Sequence, residues 1–361
     1  HICRLLAGQG AGFDVVSGGE LFRALTAGAD PSRIVYAGAG KTDAEIHQAI
    51  EAGIGWFNIE SEPELENLQR LAAARGTRVR AALRINPDVD PRTHVYTTTG
   101  KKETKFGVDL ERARRVFEQY GGQPNVHLCG LHLHIGSPVN TVEPYIEAVS
   151  RAVALSAQLR QAGFEIDTLD IGGGFGADYE VEQAPEAADY ADAVIPLLRG
   201  TGLRILMEPG RSIAANAGIL VGKVLFVKQS GAKKFVIVDA AMTDLIRPAL
   251  YQARHFAWPV RPAEGCCPPA RKFDLCMPGT VEVDIVGPVC ESSDFLAKDR
   301  YLPPLVRDDY VAIFTTGAYG FVMSSQYNSR PRAPEVLVAG DSYRVIRRRE
   351  TYEDLIAAER L

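Results

Sequence analysis

The chain of 361 residues lacks a long apolar run, a dense set of cysteines and an excess of positive charge. No apolar stretch approaches the roughly 18–20 residues that a membrane-spanning helix needs, and no signal peptide is recognisable. Six cysteines are too sparse for a disulfide scaffold, and neither a CxxC pair nor a zinc-type histidine spacing occurs. A net charge of −5 gives no general attraction to nucleic acid. We therefore expect a globular protein of the reducing cytoplasm, with no nucleic-acid, membrane or metal partner.

The first 217 residues instead show a regular alternation of short β-rich runs with helical stretches. Helices are predicted at 19–27 and 43–52, and another begins at Pro63, where Ser61 is placed to cap it. Alternation of this kind predicts an α/β fold in which helices cover a parallel sheet. The predicted strands are 12–17, 33–38, 56–60, 79–86, 127–135, 168–172 and 203–208.

These are seven strands, whereas a closed (β/α)8 TIM-type barrel has eight. The sequence begins at His1 inside an apparent helix and without an initiator Met. We therefore expect the first strand of the barrel to lie upstream of His1.

After Gly218 the pattern changes to strand-like runs that are separated by turns, with few helices between them. This pattern predicts a mostly antiparallel β domain. The segment 259–278 is rich in proline, cysteine and charge, and is expected to be a surface loop. We accordingly predict two domains, 1–217 and 218–361. The predicted strands of the second are 219–227, 234–239, 281–286 and 310–315.

Polar residues and glycines follow three of the predicted barrel strands. The sequence Glu208-Pro-Gly210-Arg211 places a carboxylate, a tight turn and a guanidinium after the apolar run 203–207. In a β/α barrel the carboxyl ends of the strands carry the active site. A carboxylate beside a glycine–arginine pair suits a ligand with one basic ring nitrogen and one phosphate, and pyridoxal phosphate is such a ligand. Glycine-rich strand ends at 170–176 and 132–137 support the same interpretation.

Taken together, the motifs resemble those of the fold-type III pyridoxal-phosphate decarboxylases, and of the diaminopimelate decarboxylases in particular. These enzymes share the alanine racemase-like fold. Each motif alone is weak, but all occur in the family's order. The matching stretches are 12–21, 84–90, 105–107, 134–137, 172–176, 208–211, 247–251, 290–294 and 317–319.

This resemblance implies a barrel with a β domain, and a homodimer whose active sites are shared between subunits. It also implies pyridoxal 5′-phosphate as cofactor and removal of the D-centre carboxylate of meso-diaminopimelate to give L-lysine. The alternatives are decarboxylation of ornithine, arginine or carboxynorspermidine.

In the barrel, the resemblance implies that Glu208 faces the pyridine nitrogen and keeps the ring protonated, so that the ring accepts electrons. It places Ser137 and Gly174, with Gly172 and Gly173, at the phosphate, because glycine lets the main chain approach oxygen closely. Each of these residues also has an interpretation without a cofactor. Glu208 could form a surface ion pair, the three glycines could form a flexible turn, and His134 could be an ordinary core histidine. The resemblance also implies that His134 stacks on the ring and takes part in catalysis. It places Gly210 and Arg211 at the phosphate, and Arg211 also at a substrate carboxylate. Asp14 and Arg84 would have supporting roles near the cofactor, and His132 is interpreted as structural.

In the β domain, the resemblance implies that Arg247 and Tyr251 hold the distal carboxylate of the substrate. Cys290 would donate a proton to the decarboxylated intermediate from the other subunit, although a buried cysteine is usually inert packing. Glu291 would bind the distal ammonium, and Tyr319 would lie near phosphate and substrate. Ornithine decarboxylases carry aspartate where this chain has Glu291, which favours diaminopimelate.

The sequence departs from the family in one important respect, because no lysine lies in the motif that carries the Schiff-base lysine. In the family this lysine lies about six residues upstream of the position that matches His1. We expect the lysine on an upstream segment outside this chain. The alternative is a non-catalytic homologue that acts by binding a partner. The conjunction of Arg247, Tyr251, Cys290 and Glu291 favours the former.

Overall fold

The computed structural model describes residues 1–90 and 105–360. Contacts divide it into two compact units, His1–Gly176 with Ala184–Pro209, and Ala177–Gln183 with Gly210–Leu361. The predicted domain boundary at 217/218 lies somewhat further along the chain, and it stays a prediction. Within the described residues, no helix is both long enough and apolar enough to cross a membrane.

The first unit is built on parallel strands, and each of the seven strands predicted from the sequence overlaps an observed one. An additional two-residue strand, β5, pairs with β4. The strands are β1 (Phe13–Val15), β2 (Ile34–Tyr36), β3 (Trp56–Ile59), β4 (Val79–Asn86), β5 (Val108–Asp109), β6 (Val126–His132), β7 (Thr168–Asp170) and β8 (Arg204–Leu206).

The sheet order is β1-β2-β3-β4-β6-β7-β8, so sequential strands are neighbours and every pairing is parallel. Among the described strands, β1 and β8 each pair on one side only. β2 and β3 are buried along their whole length, as expected for a parallel sheet that is covered on both faces. All carboxyl ends lie at one edge of this sheet, which brings the motif residues that follow them together.

Helices of the first unit begin and end where local signals place them. Thr42 and Glu45 form a capping box at the start of α3, and Gly53 ends that helix in the left-handed conformation at φ 70°. Ser61 occupies the N-cap position of α4, but the prediction that its side chain caps the helix is wrong, because Ser61 makes no side-chain cap bond. The helices are α1 (Ile2–Gly8), α2 (Gly18–Thr26), α3 (Asp43–Ala52), α4 (Glu62–Ala74), α5 (Leu110–Tyr120), α6 (Glu143–Gln161) and α7 (Ala187–Leu198).

The second unit contains a six-stranded sheet in the order β11-β14-β9-β10-β12-β13 and a separate hairpin. Only the β10–β12 pairing is parallel among its described strands, so the prediction of a mostly antiparallel sheet is confirmed. Its own apolar core includes Trp258, Ile285 and Ile313. The elements are α8 (Gly210–Ala214), α9 (Arg247–Tyr251), α10 (Tyr352–Leu355), β9 (Leu220–Ser230), β10 (Lys233–Val238), β11 (Ala257–Pro259), β12 (Val281–Val286), β13 (Phe295–Leu302), β14 (Tyr310–Ile313), β15 (Glu335–Ala339) and β16 (Ser342–Arg347).

Candidate active site

Three glycines after β7 pack tightly against the ends of neighbouring strands. A Cβ atom at Gly172 would lie 2.1 Å from the carbonyl oxygen of Leu133, and one at Gly173 would lie 2.2 Å from that of Glu208. Gly174 has φ +90°, and its Cβ would lie 2.0 Å from the carbonyl oxygen of Gly136. Only glycine fits at these positions, so the main chain of this segment lies at the carboxyl edge of the sheet without side chains.

At the same edge, three ionisable side chains converge from β6, β7 and the turn after β8. One ligand atom each of His132, Asp170 and Glu208 lies within 4.8 Å of the other two. Glu208 Oε1 and both ring nitrogens of His132 are buried and have no hydrogen-bond partner among the described residues. The spacing would suit a divalent cation or a protonated ring nitrogen equally. A bound ligand could satisfy these buried polar atoms.

Burial sets the protonation of this cluster. It raises the pKa of Asp170 to about 7, with the negative charge of Glu208 adding to the effect. Burial also raises the pKa of Glu208. The imidazole of His132 is fully enclosed, and burial lowers its pKa to about 4. The cluster therefore carries more potential negative charge than positive charge, and a bound cation would relieve this imbalance.

A buried polar network supports the cluster from neighbouring strands. Asn58 donates from Nδ2 to Asp170 Oδ2 at 3.2 Å, and Arg84 pairs with Glu60 at 2.8 Å. The other carboxylate oxygen of Glu60 accepts the N–H of Gly107 at 2.8 Å. Sequence reasoning missed Asn58, Glu60 and Asp170, because their partners are 24 to 112 residues away along the chain. The only available signal for Asp170 was its place at the start of the glycine-rich segment 170–176.

Lys41 lies near this network, but it is unsuitable as a Schiff-base nucleophile. Its side chain is 1% exposed, and Nζ donates to the carbonyl oxygens of Gly38 at 2.9 Å and Asn58 at 2.8 Å. The third contact is an ion pair with Glu64 at 2.5 Å. All three ammonium protons are therefore engaged in structural contacts.

His134 lies at the glycine segment. Its Nδ1 accepts the N–H of Gly173 at 3.2 Å, so the ring is neutral with its proton on Nε2. Burial, followed by the positive charge of Arg84, lowers the pKa of His134 to about 3. The N–H of Gly174 has no acceptor in the described part of the chain. An available main-chain donor, an unsatisfied Glu208 oxygen and a neutral imidazole together fit a pyridine ring that carries a phosphate.

A second set of predicted site residues lies within the other unit, around Tyr179. Arg211 donates from Nη1 to the Tyr179 hydroxyl at 2.8 Å, and its guanidinium lies 4.7 Å from the ring centroid of Tyr319. Arg247 stacks on the Tyr179 ring at 4.8 Å and donates to His255 Nε2 at 2.9 Å. Arg247 is buried and has no carboxylate partner among the described residues. The arrangement suits an anionic ligand.

Two residues of this set were not predicted to matter. Tyr179 bridges the two arginines, and His255 orients Arg247, because its Nδ1 donates to the carbonyl oxygen of Phe314 at 2.9 Å and leaves Nε2 as an acceptor. Burial lowers the pKa of His255 to about 4, so it accepts as the neutral ring. Tyr251 lies on α9 with Arg247. Tyr319 has φ 57°, a left-handed conformation that is strained for a tyrosine.

Two further predicted residues, Cys290 and Glu291, are exposed in a turn between β12 and β13. The carboxylate of Glu291 accepts the Tyr327 hydroxyl at 2.6 Å and the Ser293 hydroxyl at 3.0 Å. The N–H of Cys290 donates to Asn328 Oδ1 at 3.2 Å. The bonds from the two hydroxyl groups lower the pKa of Glu291, and the Tyr327 contact contributes most. Sequence reasoning did not identify Tyr327 as a site residue.

Comparisons with known proteins show the family of this chain. Residues 1–215 match the model of the pyridoxal-dependent decarboxylases, pyridoxal binding domain. The chain is 48% identical over 357 residues to the diaminopimelate decarboxylase of Aquifex aeolicus, covering 99% of this chain and 82% of that protein. It is 47% identical over 360 residues to the same enzyme of Pseudomonas aeruginosa, covering 100% and 83%.

A crystal structure of diaminopimelate decarboxylase from Helicobacter pylori, complexed with L-lysine, superposes with a TM-score of 0.92 at 42% identity. The match covers 99% of this chain and 86% of that one. The predicted α/β barrel-type fold with a β domain is thereby confirmed, as is the expected dependence on pyridoxal phosphate. The chain belongs to the diaminopimelate decarboxylase family of pyridoxal-dependent decarboxylases.

Proposed function

We propose that the complete protein removes one carboxylate of meso-diaminopimelate as CO2 and releases L-lysine. The observation that carries this proposal is the Glu208 carboxylate, whose buried Oε1 has no hydrogen-bond partner among the described residues. It lies at the carboxyl edge of a sheet that resembles that of a diaminopimelate decarboxylase. A carboxylate in that place is suited to hold a protonated ring nitrogen. The three glycines beside it provide main chain for a phosphate.

In the barrel unit, Glu208 would bind the ring nitrogen and hold a proton there, with Asp170 and His132 fixing its position. Gly174 and Ser137 would bind the phosphate. His134 would stack on the ring as a neutral imidazole, since its lowered pKa avoids a competing positive charge beside Glu208. When bound, pyridoxal phosphate supplies an electron sink for the electron pair that departing CO2 leaves behind.

In the second unit, the substrate would be anchored at the end that does not react. Arg211, Arg247 and Tyr251 would bind carboxylate, and Glu291 would bind the distal ammonium. Tyr319 would contact the substrate. Cys290 would deliver the proton that replaces CO2. A diamine-forming decarboxylase has no distal carboxylate to hold, and the buried Arg247 would then lack a counter-ion at a cost of several kcal/mol.

The Schiff-base lysine would come from a strand that is not part of this sequence and that pairs at the edges left by β1 and β8. Two observations support this assignment: each of these strands pairs on one side only among the described residues, and Lys41 is fully engaged elsewhere. Without that strand we expect chain 1–361 to aggregate, because unpaired strand edges promote association.

We further propose a cytoplasmic homodimer with shared sites. The exposure of Cys290 and Glu291 within a single chain supports this assembly, because both side chains would become enclosed when a second subunit covers them.

The test is an assay of lysine release by the complete protein, including the upstream lysine strand, with meso-diaminopimelate and ornithine as competing substrates. We expect turnover of meso-diaminopimelate and at most trace turnover of ornithine. Glu291→Asp should shift this preference toward ornithine, whereas Glu111→Gln, on the exposed face of α5, should leave it unchanged. Preference of the wild type for ornithine, arginine or carboxynorspermidine would contradict the proposal, and no turnover of any of these substrates would favour a non-catalytic binding protein.

A further inference from the structure

A pocket of about 550 Å³ lies in the second unit, beside α9 and along β13. None of the residues assigned above to cofactor or substrate lines it. Its walls combine apolar side chains with cations. The lining residues come from 248–249, 252–254 and 295–300.

Three of the lining residues are cations, Arg254, Lys298 and Arg300. None has a carboxylate within ion-pair distance in the described part of the chain. The nearby carboxylates of Asp284 and Asp299 are each 2.9 Å from Lys233 instead. One carboxylate, Asp299, also lines the pocket, so the lining carries three cations against one anion.

Arg254 and Arg300 are held by the same aromatic ring. Their guanidiniums lie 4.5 Å and 5.5 Å from the centroid of Phe273, which is buried. The position of Phe273 is itself fixed, because its N–H donates to Glu180 Oε1 at 2.6 Å. The two cations are thus preorganised rather than solvated independently.

Arg300 is the more constrained of the two. It is only 9% exposed; Nη1 donates to the carbonyl oxygen of Lys298 at 2.7 Å, and Nε is buried without an acceptor among the described residues. Burial, followed by repulsion from Arg254, lowers the pKa of Arg300. An anion in the pocket would satisfy the buried donor and relieve this repulsion.

We propose that this pocket is a binding site for a small organic molecule that carries a phosphate or carboxylate group. Arg254 and Arg300 bind the anionic oxygens, and Lys298 adds a third positive charge. Pro248, Ala253 and Leu296 contact the apolar body of the ligand. The site is separate from the proposed substrate residues, although Pro248 and Ala249 lie on the same helix as Arg247 and Tyr251.

The test uses the complete, cofactor-loaded enzyme, so that the cofactor's own phosphate site is filled. Inorganic phosphate and succinate are the probes, and calorimetric titration at constant ionic strength gives Kd for each. We expect saturable binding of at least one probe. Arg254→Gln, at an exposed position, should weaken binding about ten- to hundredfold, which is the usual effect of removing one charged hydrogen-bond donor. Which probe binds better distinguishes a phosphate ligand from a carboxylate ligand.

Arg307→Gln is the matched control, because Arg307 stacks on Phe226 at 5.2 Å and does not line the pocket. It should leave Kd unchanged. Binding that Arg254→Gln and Arg307→Gln weaken equally would overturn the proposal, since it would reflect general charge. Absence of saturable binding of both probes would overturn it as well, and so would protection of 295–300 from hydrogen exchange by a second copy of the chain.

Discussion

The two sets of site residues differ in how complete they are within a single chain. At the carboxyl edge of the parallel sheet, Asp170, His132 and Glu208 are enclosed, and their pKa values are shifted by burial. Cys290 and Glu291, in the other unit, are open to solvent, and Glu291 is held only by hydroxyl groups. The strand ends of the first unit therefore hold their side chains in a buried network, whereas Cys290 and Glu291, the proposed proton donor and specificity residue, are exposed in a single chain.

This contrast follows from how each set is supported. A buried carboxylate needs partners supplied by other strands, so the fold must fix Asn58 and Asp170 before any ligand arrives. An exposed turn keeps its charges solvated and can be completed by an incoming surface. Four variants test this difference between the buried and the exposed residues.

Cys290→Ala should have the largest effect. If the thiol donates the proton that replaces CO2, its loss should lower kcat about 10²–10⁴-fold while cofactor binding persists. The measurement is steady-state lysine release by the complete protein. Cys276→Ala removes another exposed thiol and should leave kcat unchanged. An unaffected kcat in Cys290→Ala would make this cysteine structural.

Glu208→Gln should lower kcat about 10²–10³-fold, the range typical for loss of one preorganised electrostatic contact in an active site. The phosphate-binding glycines are untouched, so the variant should still bind cofactor, which absorbance after gel filtration measures. Glu111→Gln serves as the surface control. Wild-type kcat in Glu208→Gln would refute its role at the ring nitrogen.

Asp170→Asn should change the pH dependence of unfolding of the cofactor-free protein. Because the folded-state pKa of Asp170 is raised from 3.8 to about 7, its stabilising contribution is complete below about pH 3.8 and is lost as pH rises through 7. The shift corresponds to at most about 4 kcal/mol. His132 acts in the opposite direction, since its lowered pKa costs stability as pH falls from 6.5 to about 4.

The informative quantity is therefore the difference between wild type and Asp170→Asn, measured by urea unfolding from pH 4 to pH 8. We expect the free energy of unfolding of the variant to improve relative to wild type as pH rises. Asp192→Asn, at an exposed position on α7, should give a flat difference. A flat difference for Asp170→Asn would show that this carboxyl is ionised throughout.

Tyr327→Phe should have the smallest effect. It removes one hydrogen bond to Glu291, worth about 1 kcal/mol, so KM for meso-diaminopimelate should rise about fivefold with little change in kcat. Tyr343→Phe, which is exposed, is the control. A fall in kcat with an unchanged KM would assign Tyr327 to the chemical step instead.

The fold was largely predictable because its signals are local. Runs such as Ile34–Tyr36 and Trp56–Ile59 are mostly apolar and favour strands. The helix between them begins after Thr42 and ends at Gly53, two residue types that favour helix ends. The bounds of α3 agree with the prediction at both ends. The capping role of Ser61 failed, since a capping residue in the right place need not make the bond.

The site was only partly predictable, because the motifs indicate where it lies but not what supports it. Glu208 and Gly174 could be found from residues beside them in the sequence. Asn58 bonds to Asp170 across 112 positions, and Tyr327 bonds to Glu291 across 36. No local pattern encodes such pairs. His132 was interpreted as structural because a strand histidine usually is, yet it lies beside Glu208 at 3.5 Å.

The most direct test of the central claim mixes two defective subunits of the complete protein, Cys290→Ala and Glu208→Gln. If each active site combines Glu208 of one chain with Cys290 of another, random exchange should create heterodimers with one intact site and restore about a quarter of wild-type activity at equal mixing. Each variant alone should remain nearly inactive. No recovery of activity, with subunit exchange demonstrated by labelled protomers, would contradict the account and place both residues in the site of one chain.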